Sequence, residues 1–131
     1  MASPDATTVE RVLAHQTWAV VGLSTDRSRA AYGVAAFLQA QGRRIVPVHP
    51  RAETVHGEQG YERLADIPFP VDVVDCFVRS SLVGPVVDDA IAVGAKAVWM
   101  QLGVFDAAAA ARAEAAGLDV VMDRCPKIEW P

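Results

Sequence analysis

Five apolar runs punctuate the chain: TWAVVG (17–22), RIVPV (44–48), VDVVDCFV (71–78), KAVWMQL (96–102) and LDVVMD (118–123). They are rich in valine and mostly continuous rather than alternating between apolar and polar. That pattern belongs to strands buried on both faces of a parallel sheet. Between them the period changes. YGVAAFLQAQ places Val34, Phe37, Leu38 and Gln41 on one helical face, and SLVGPVVDDAIAV places Val83, Val86, Val87, Ala90 and Ile91 at i, i+3, i+4, i+7 and i+8. FDAAAAARAEAA has strong helix propensity, with Asp106 as its N-cap. A further helix is expected at about residues 5–15.

The helix stops repeat. AQGRR, AVGAK and AAGLD each put a glycine (Gly42, Gly94, Gly117) after a helix and just before a strand. A helix C′ position takes the left-handed conformation that glycine adopts cheaply. Three such stops predict three β-α-β crossovers, which are right-handed. The stretch between the second and third strands differs: HPRAETVHGEQGYERLADIPFP reads as loop with one helical turn at 61–65. The expected fold is α/β, a three-layer, Rossmann-like doubly wound sheet of five parallel strands in the order 3-2-1-4-5, with residues 1–131 as a single domain. Ligands in such sheets sit beyond the carboxyl ends of the strands, where the strand order reverses. With that order the reversal falls between strands one and four, next to GLSTDRS (22–28) and QLGVF (101–105).

Composition narrows the function classes. Apolar residues make up 52% and charged residues 21%, a globular balance. No apolar run approaches the roughly 20 residues that span a bilayer, and the polar N-terminus resembles neither a secretory signal nor a transit peptide. A cytoplasmic protein that engages no membrane is expected. The net charge of −4 and the absence of a basic block argue against nucleic acid as a partner. A small anionic ligand needs only a local cluster of donors. Two cysteines and three scattered histidines give no metal spacing and no disulfide framework.

The loop after the first run is the main candidate site. Gly22 lets the backbone approach a ligand closely, and Ser24 offers a hydroxyl and an N–H. The helix beginning near residues 29–32 offers unpaired N–H groups and the positive end of its dipole. Together these suit a phosphate, and Arg27 and Arg29 add charged donors. The plain alternative is a βα turn in which Ser24 or Ser28 only caps the helix. PVHP (47–50) makes a stiff wall at the end of the second strand. It carries His49 where dinucleotide enzymes usually carry an acid for the ribose. Gln101 ends a buried strand, and an amide there needs a partner, either the ligand or a neighbouring loop. Cys125 ends the last strand near the same crevice, as an inert thiol or a reactive one. Trp99 and Cys76 read as core. No Ser-His-Asp arrangement, paired carboxylates or Walker lysine emerges, so a binder without built-in catalytic machinery is expected.

In order along the chain, VVGLSTDRSRAAYGVAAFLQAQG, IVPVHP, LADIP, VDVVDCF, AIAVGAKAVWMQLGV and AGLDVVMDRCPKIE resemble the small single-domain CoA-binding proteins of bacteria. These are similar to the CoA-binding N-terminal domain of the succinyl-CoA synthetase α subunit. The resemblance covers residues 12–129. It implies CoA or acyl-CoA as the ligand, with Gly22, Leu23 and Ser24 as the phosphate loop and Arg29 near the phosphates. Pro47, Val48 and Pro50 would wall the adenine side. Gln101 and Gly103 would lie by the pantetheine arm, and Cys125 near the thiol end. The chain departs from the family in three places. His49 stands for Asn or Ser, and Ala30-Ala31 for Pro-Ser. Val78 stands for an Arg, with Arg79 one residue later and long enough to reach the crevice. Two alternatives stay open: an NAD(P) or other nucleotide binder, and a thiol-redox protein forming a mixed disulfide with CoA through Cys125. A further reading is a subunit that senses CoA and docks on an enzyme, but nothing in the sequence identifies a protein partner.

Overall fold

The computed structural model describes residues 6–131. Its elements run α1 (Ala6–Leu13), β1 (Thr17–Val21), α2 (Ala30–Ala40), β2 (Arg44–Val48), β3 (Val73–Cys76), α3 (Ser80–Ala92), β4 (Ala97–Met100), α4 (Ala107–Ala115), β5 (Asp119–Val121) and α5 (Pro126–Glu129). All five apolar runs form strands, and every pairing is parallel. Gly42, Gly94 and Gly117 all take positive φ at helix ends, and Asp106 caps α4 by accepting from the Ala109 N–H at 3.0 Å. The expected helical turn is a 3-10 turn at Leu64–Asp66. The first residue of the expected N-terminal helix, position 5, lies outside the described residues.

The strand order is β2-β1-β3-β4-β5, not 3-2-1-4-5. β3 crosses to the far side of β1 instead of extending the sheet beyond β2. The edge of β2 is covered by its own outgoing loop, where Tyr61 bridges Val48 and its N–H donates to the Pro47 carbonyl at 2.9 Å. The reversal of strand order therefore falls between β1 and β3, and the crevice opens beside the ends of β1 and β3 rather than between β1 and β4.

Strand pleating sends alternate side chains to opposite faces. Ala19, Val46, Val74, Cys76, Val98 and Met100 pack under α3 and α4, against Val83, Val87, Ala90, Ala109, Ala110 and Ala113. Trp18, Val20, Ile45, Val73, Trp99 and Val121 pack under α1 and α2, against Val12, Leu13, Val34, Ala35 and Leu38. On α2 the buried stripe includes Ala31 and Ala35, while Gln41 is exposed. Trp18 and Trp99 stack obliquely at 5.8 Å between centroids in this second layer. Each indole N–H is satisfied by a carbonyl, that of His15 for Trp18 and of Arg124 for Trp99. The second contact ties the segment after β5 back onto β4.

Gly22 sits where three strand ends meet. Its N–H donates to Val48 O of β2 at 2.8 Å. Its φ is +99°, and a Cβ there would run into the carbonyl oxygen of Phe77, the residue after β3. The glycine thus lets the chain leaving β1 pass against the chain leaving β3, a packing role inside the protein. Gly94 also has positive φ, but a Cβ there meets open space. A side chain at such a φ costs on the order of 1–3 kcal/mol. We expect Gly94→Ala to lose about that much stability in urea unfolding, and Gly22→Ala to lose clearly more because backbone atoms must also move. Equal losses would remove the packing role assigned to Gly22.

Candidate functional site

A cleft of about 720 Å³ opens at the carboxyl ends of β1, β3 and β4, lined by residues that include Gly22, Ser24, Arg29, His49, Gln101 and Cys125. That volume is ordinary for a small-molecule site, which typically spans about 300–1,000 Å³. A second groove, of about 500 Å³, lies between α1 and the C-terminal residues, away from the strand ends.

The other seven residues singled out from the sequence lie outside the cleft lining. Leu23 is fully buried core. Arg27 extends over the Tyr32 ring, 5.9 Å from its centroid. Pro47 and Val48 are buried in β2, and Pro50 is exposed beyond it. Arg79 becomes the N-cap of α3 and points to solvent. Gly103 turns the β4–α4 connection, with its N–H donating to Asp123 Oδ1 at 2.7 Å. Asp26, Leu102 and Val104, within the two segments the sequence singled out, also line the cleft, and Ala31 and Val34 add to its apolar wall; Arg51 and Phe77 are lining residues that sequence reasoning missed.

The loop from Gly22 to Arg29 is already folded around carboxylates. Ser24, buried, accepts from the Asp26 N–H through its hydroxyl. Asp26 accepts from both the N–H and the hydroxyl of Ser28, at 2.9 and 2.6 Å. Glu53, arriving from the loop after β2, accepts from the N–H and hydroxyl of Thr25. These donors hold the Asp26 and Glu53 carboxyls below their ordinary range. Each carboxylate also holds an arginine of the cleft, Arg29 to Asp26 at 3.6 Å and Arg51 to Glu53 at 3.4 Å. At the start of α2, Arg29 makes no side-chain cap hydrogen bond, so the first turn of the helix opens toward the cleft without one. On the β2 side, His49 Nδ1 accepts from the Arg51 N–H at 3.2 Å. That leaves Nε2 as the ring nitrogen carrying the proton in neutral imidazole.

Two polar side chains are enclosed without partners. Gln101 is 5% exposed, and its Oε1 is buried and unbonded. Asp75, in the middle of β3, is fully buried, and neither carboxyl oxygen has a partner. Desolvation pushes the Asp75 carboxyl well above the usual range, in favour of the neutral acid. The same burial, with Asp75 next door, pushes the Cys76 thiol up. Cys76 is inert core, as its place in an apolar strand implies. Among the described residues no group of His, Cys, Asp and Glu is placed to hold a metal ion.

Asp75 gives stability a definite sign of pH dependence. Its folded pKa lies above its ordinary value of 3.8, so between the two values the native state keeps a proton that the unfolded chain loses. Stability from this group is present at acid pH and falls as pH rises, by about 1.4 kcal/mol per pH unit for one proton. Asp26 and Glu53 act oppositely, and their contribution is lost only as pH falls through their lowered values. We expect the urea midpoint to fall from mildly acid to alkaline pH in the wild type, and to flatten in Asp75→Asn. Parallel profiles would contradict the assignment.

The family model described as a CoA binding domain matches residues 16–131. The uncharacterized protein YneT of Bacillus subtilis is 30% identical over 129 residues, covering 98% of this chain and 96% of YneT. A hypothetical protein from Pyrococcus horikoshii superposes with a TM-score of 0.91 at 35% identity, over 96% of this chain and 89% of that one. The dinucleotide-forming acetyl-coenzyme A synthetase 1 of Candidatus Korarchaeum cryptofilum superposes with a TM-score of 0.76 at 26% identity, over 88% of this chain but only 28% of the enzyme. With a parallel sheet whose strand order reverses beside the cleft, and a family match across nearly its whole length, the chain belongs to the CoA-binding domain family.

Proposed function

We propose that the cleft at the ends of β1, β3 and β4 binds CoA or an acyl-CoA. The observation that carries this reading is the coincidence of the family match with a cleft holding two arginines, an open helix start and an orphaned amide. The diphosphate belongs at Ser24 and the start of α2, where Arg29 supplies a guanidinium. Arg29 and Arg51 are mostly solvent-exposed in their present pairs, and such pairs are worth little. Exchanging a carboxylate for a phosphate oxygen is therefore cheap, and the phosphate gains a charge-assisted bond. The adenosine end lies toward His49 and Arg51. The pantetheine arm runs past Gln101 to the apolar wall of Leu102 and Val104, ending by Cys125.

The chemistry of the β2 end favours CoA over NAD. A dinucleotide site places a free carboxylate there for the ribose hydroxyls. Here the side chains at that end of the cleft are His49 and Arg51, and the nearby Glu53 carboxylate is taken up by Thr25 and Arg51. The Arg51 guanidinium at this position suits a phosphate-bearing ribose.

Cys125 on the cleft wall favours one second reading. Its thiol, as thiolate, attacks CoA disulfide, forming a protein–S–S–CoA bond and releasing one CoA thiol, so electrons balance without another oxidant. Intact mass after incubation with CoA disulfide should then rise by one CoA less two hydrogens, and revert with reductant. An unmodified mass removes this reading and leaves reversible binding untouched.

A thermal-shift titration with CoA, acetyl-CoA, NAD and ATP tests the main reading. A ligand that binds only the native state stabilises it by about 2.7 kcal/mol at a hundredfold excess over its dissociation constant. We expect CoA and acetyl-CoA to raise the melting temperature and NAD to leave it unchanged. A shift with NAD but not CoA would overturn the proposal.

A further inference from the structure

Asp75 and Gln101 are, among the described residues, the side chains with buried polar atoms lacking a hydrogen-bond partner. They are also neighbours. Asp75 is in register with Trp99 on β4, and Gln101 lies two residues beyond Trp99. Its N–H extends the β3–β4 ladder to Cys76 O. Pleating therefore puts both side chains on the face covered by α1 and α2. Asp75 sits one step deeper, and Gln101 lies at the cleft floor. The enclosed atom of Gln101 is Oε1, which leaves the amide NH2 as the end available to the cleft that the residue lines.

The needs of the two groups are complementary. A neutral carboxylic acid carries one O–H donor, whereas an ionised one only accepts. Gln101 Oε1 lacks a donor. We propose that Asp75 is a positioning residue for Gln101: its O–H donates toward Oε1, directly or across one bridging water, and so fixes the amide with its NH2 facing the ligand. In the CoA reading, on which this use of the amide rests, that NH2 donates to a carbonyl of the pantetheine arm. Loss of the Asp75 proton reverses the pairing. The carboxylate then attracts the NH2 inward and leaves Oε1, an acceptor, facing the cleft. One proton below the floor thus sets the hydrogen-bonding polarity of the site above it.

The surroundings leave Asp75 little else to pair with. The layer packed on this face brings apolar side chains from α1 and α2 and, from the start of α5, Cys125. Tyr32 lies at its edge, and Cys76, next in the strand, packs into the opposite layer. Cys125, Tyr32 and Cys76 are the titratable groups in or next to this layer; at its rim Arg27 lies over the Tyr32 ring at 5.9 Å, His56 stacks on that ring at 4.3 Å, and Arg43 lies over Trp130 at 5.0 Å. The device needs the neutral acid, the form that burial in this apolar layer favours.

The first arm of the test needs no ligand. The side-chain NH2 resonances of Gln101 are followed in nitrogen-15-labelled protein from the ordinary carboxylate range upward, over the whole pH range in which the protein stays folded, in wild type and in Asp75→Asn. We expect them to shift with pH in the wild type and to stay fixed in the variant, whose amide donates but cannot ionise. Identical behaviour in the two proteins overturns the link. The second arm is calorimetry with CoA. Asp75→Leu replaces the buried acid by an apolar side chain of similar size, with folding checked by urea unfolding, and should lower CoA affinity about three- to tenfold, the value of one modest hydrogen bond. Asp75→Asn should restore affinity to within about twofold of wild type. A purely structural Asp75 predicts unchanged affinity in Asp75→Leu, which would overturn the positioning role. If the wild type itself ignores CoA, the ligand assignment fails, and the resonance arm still decides the Asp75–Gln101 link.

Discussion

The architecture turns on the contact between the chain leaving β1 and the chain leaving β3. Gly22 donates to β2 and presses its bare Cα against the Phe77 carbonyl. No residue with a side chain fits there without displacing backbone. That contact closes the sheet around β1 on both sides and puts the strand-order reversal between β1 and β3. Everything at the cleft follows from it: the loop to α2 rises from β1, the Phe77 segment forms one wall, and Gln101 of β4 reaches the floor one strand further on.

Upon that frame the protein arranges two kinds of polar chemistry. At the rim, carboxylates and arginines form exposed, exchangeable pairs on loop N–H groups, a preformed but lightly held set of partners for an anion. At the floor, burial replaces solvent. Desolvation favours the neutral form of Asp75, and Gln101 is enclosed at its oxygen. An unpaired buried polar group costs roughly 1–3 kcal/mol, and placing two of them on neighbouring strands beneath a cleft concentrates that cost where a ligand or a shared hydrogen bond offsets it.

The strands were legible because runs of valine bounded by glycine stops leave little alternative, and α4 was legible down to its Asp106 cap. The strand order was not. It depends on where β3 lands after residues 49–72, a stretch with no long helix to constrain its crossing. Gly22 drew attention for the right conformational reason, but its close neighbour is Phe77 within the protein. Helix α5 was hidden behind a Cys–Pro step that reads as a turn, although proline is well suited to the first position of a helix. Arg79 was expected at the crevice from its length, but the early start of α3 turned it outward. Arg51 carries no local signal, since only the meeting of the β1 and β2 loops brings it to the cleft. Asp75 did leave a signal: it is the inner of the two acids in VDVVDCFV, flanked by Val74 and Cys76, where the apolar run offers it no partner.

The most direct measurement is a backbone-amide NMR titration with CoA. Binding in the cleft should move the resonances of residues 22–32, Phe77 and the stretch from Gln101 to Val104, while those of α1 and Trp130 around the second groove stay in place. Shifts confined to α1 and Trp130, or no shifts at millimolar CoA, would contradict a CoA site at the ends of β1, β3 and β4.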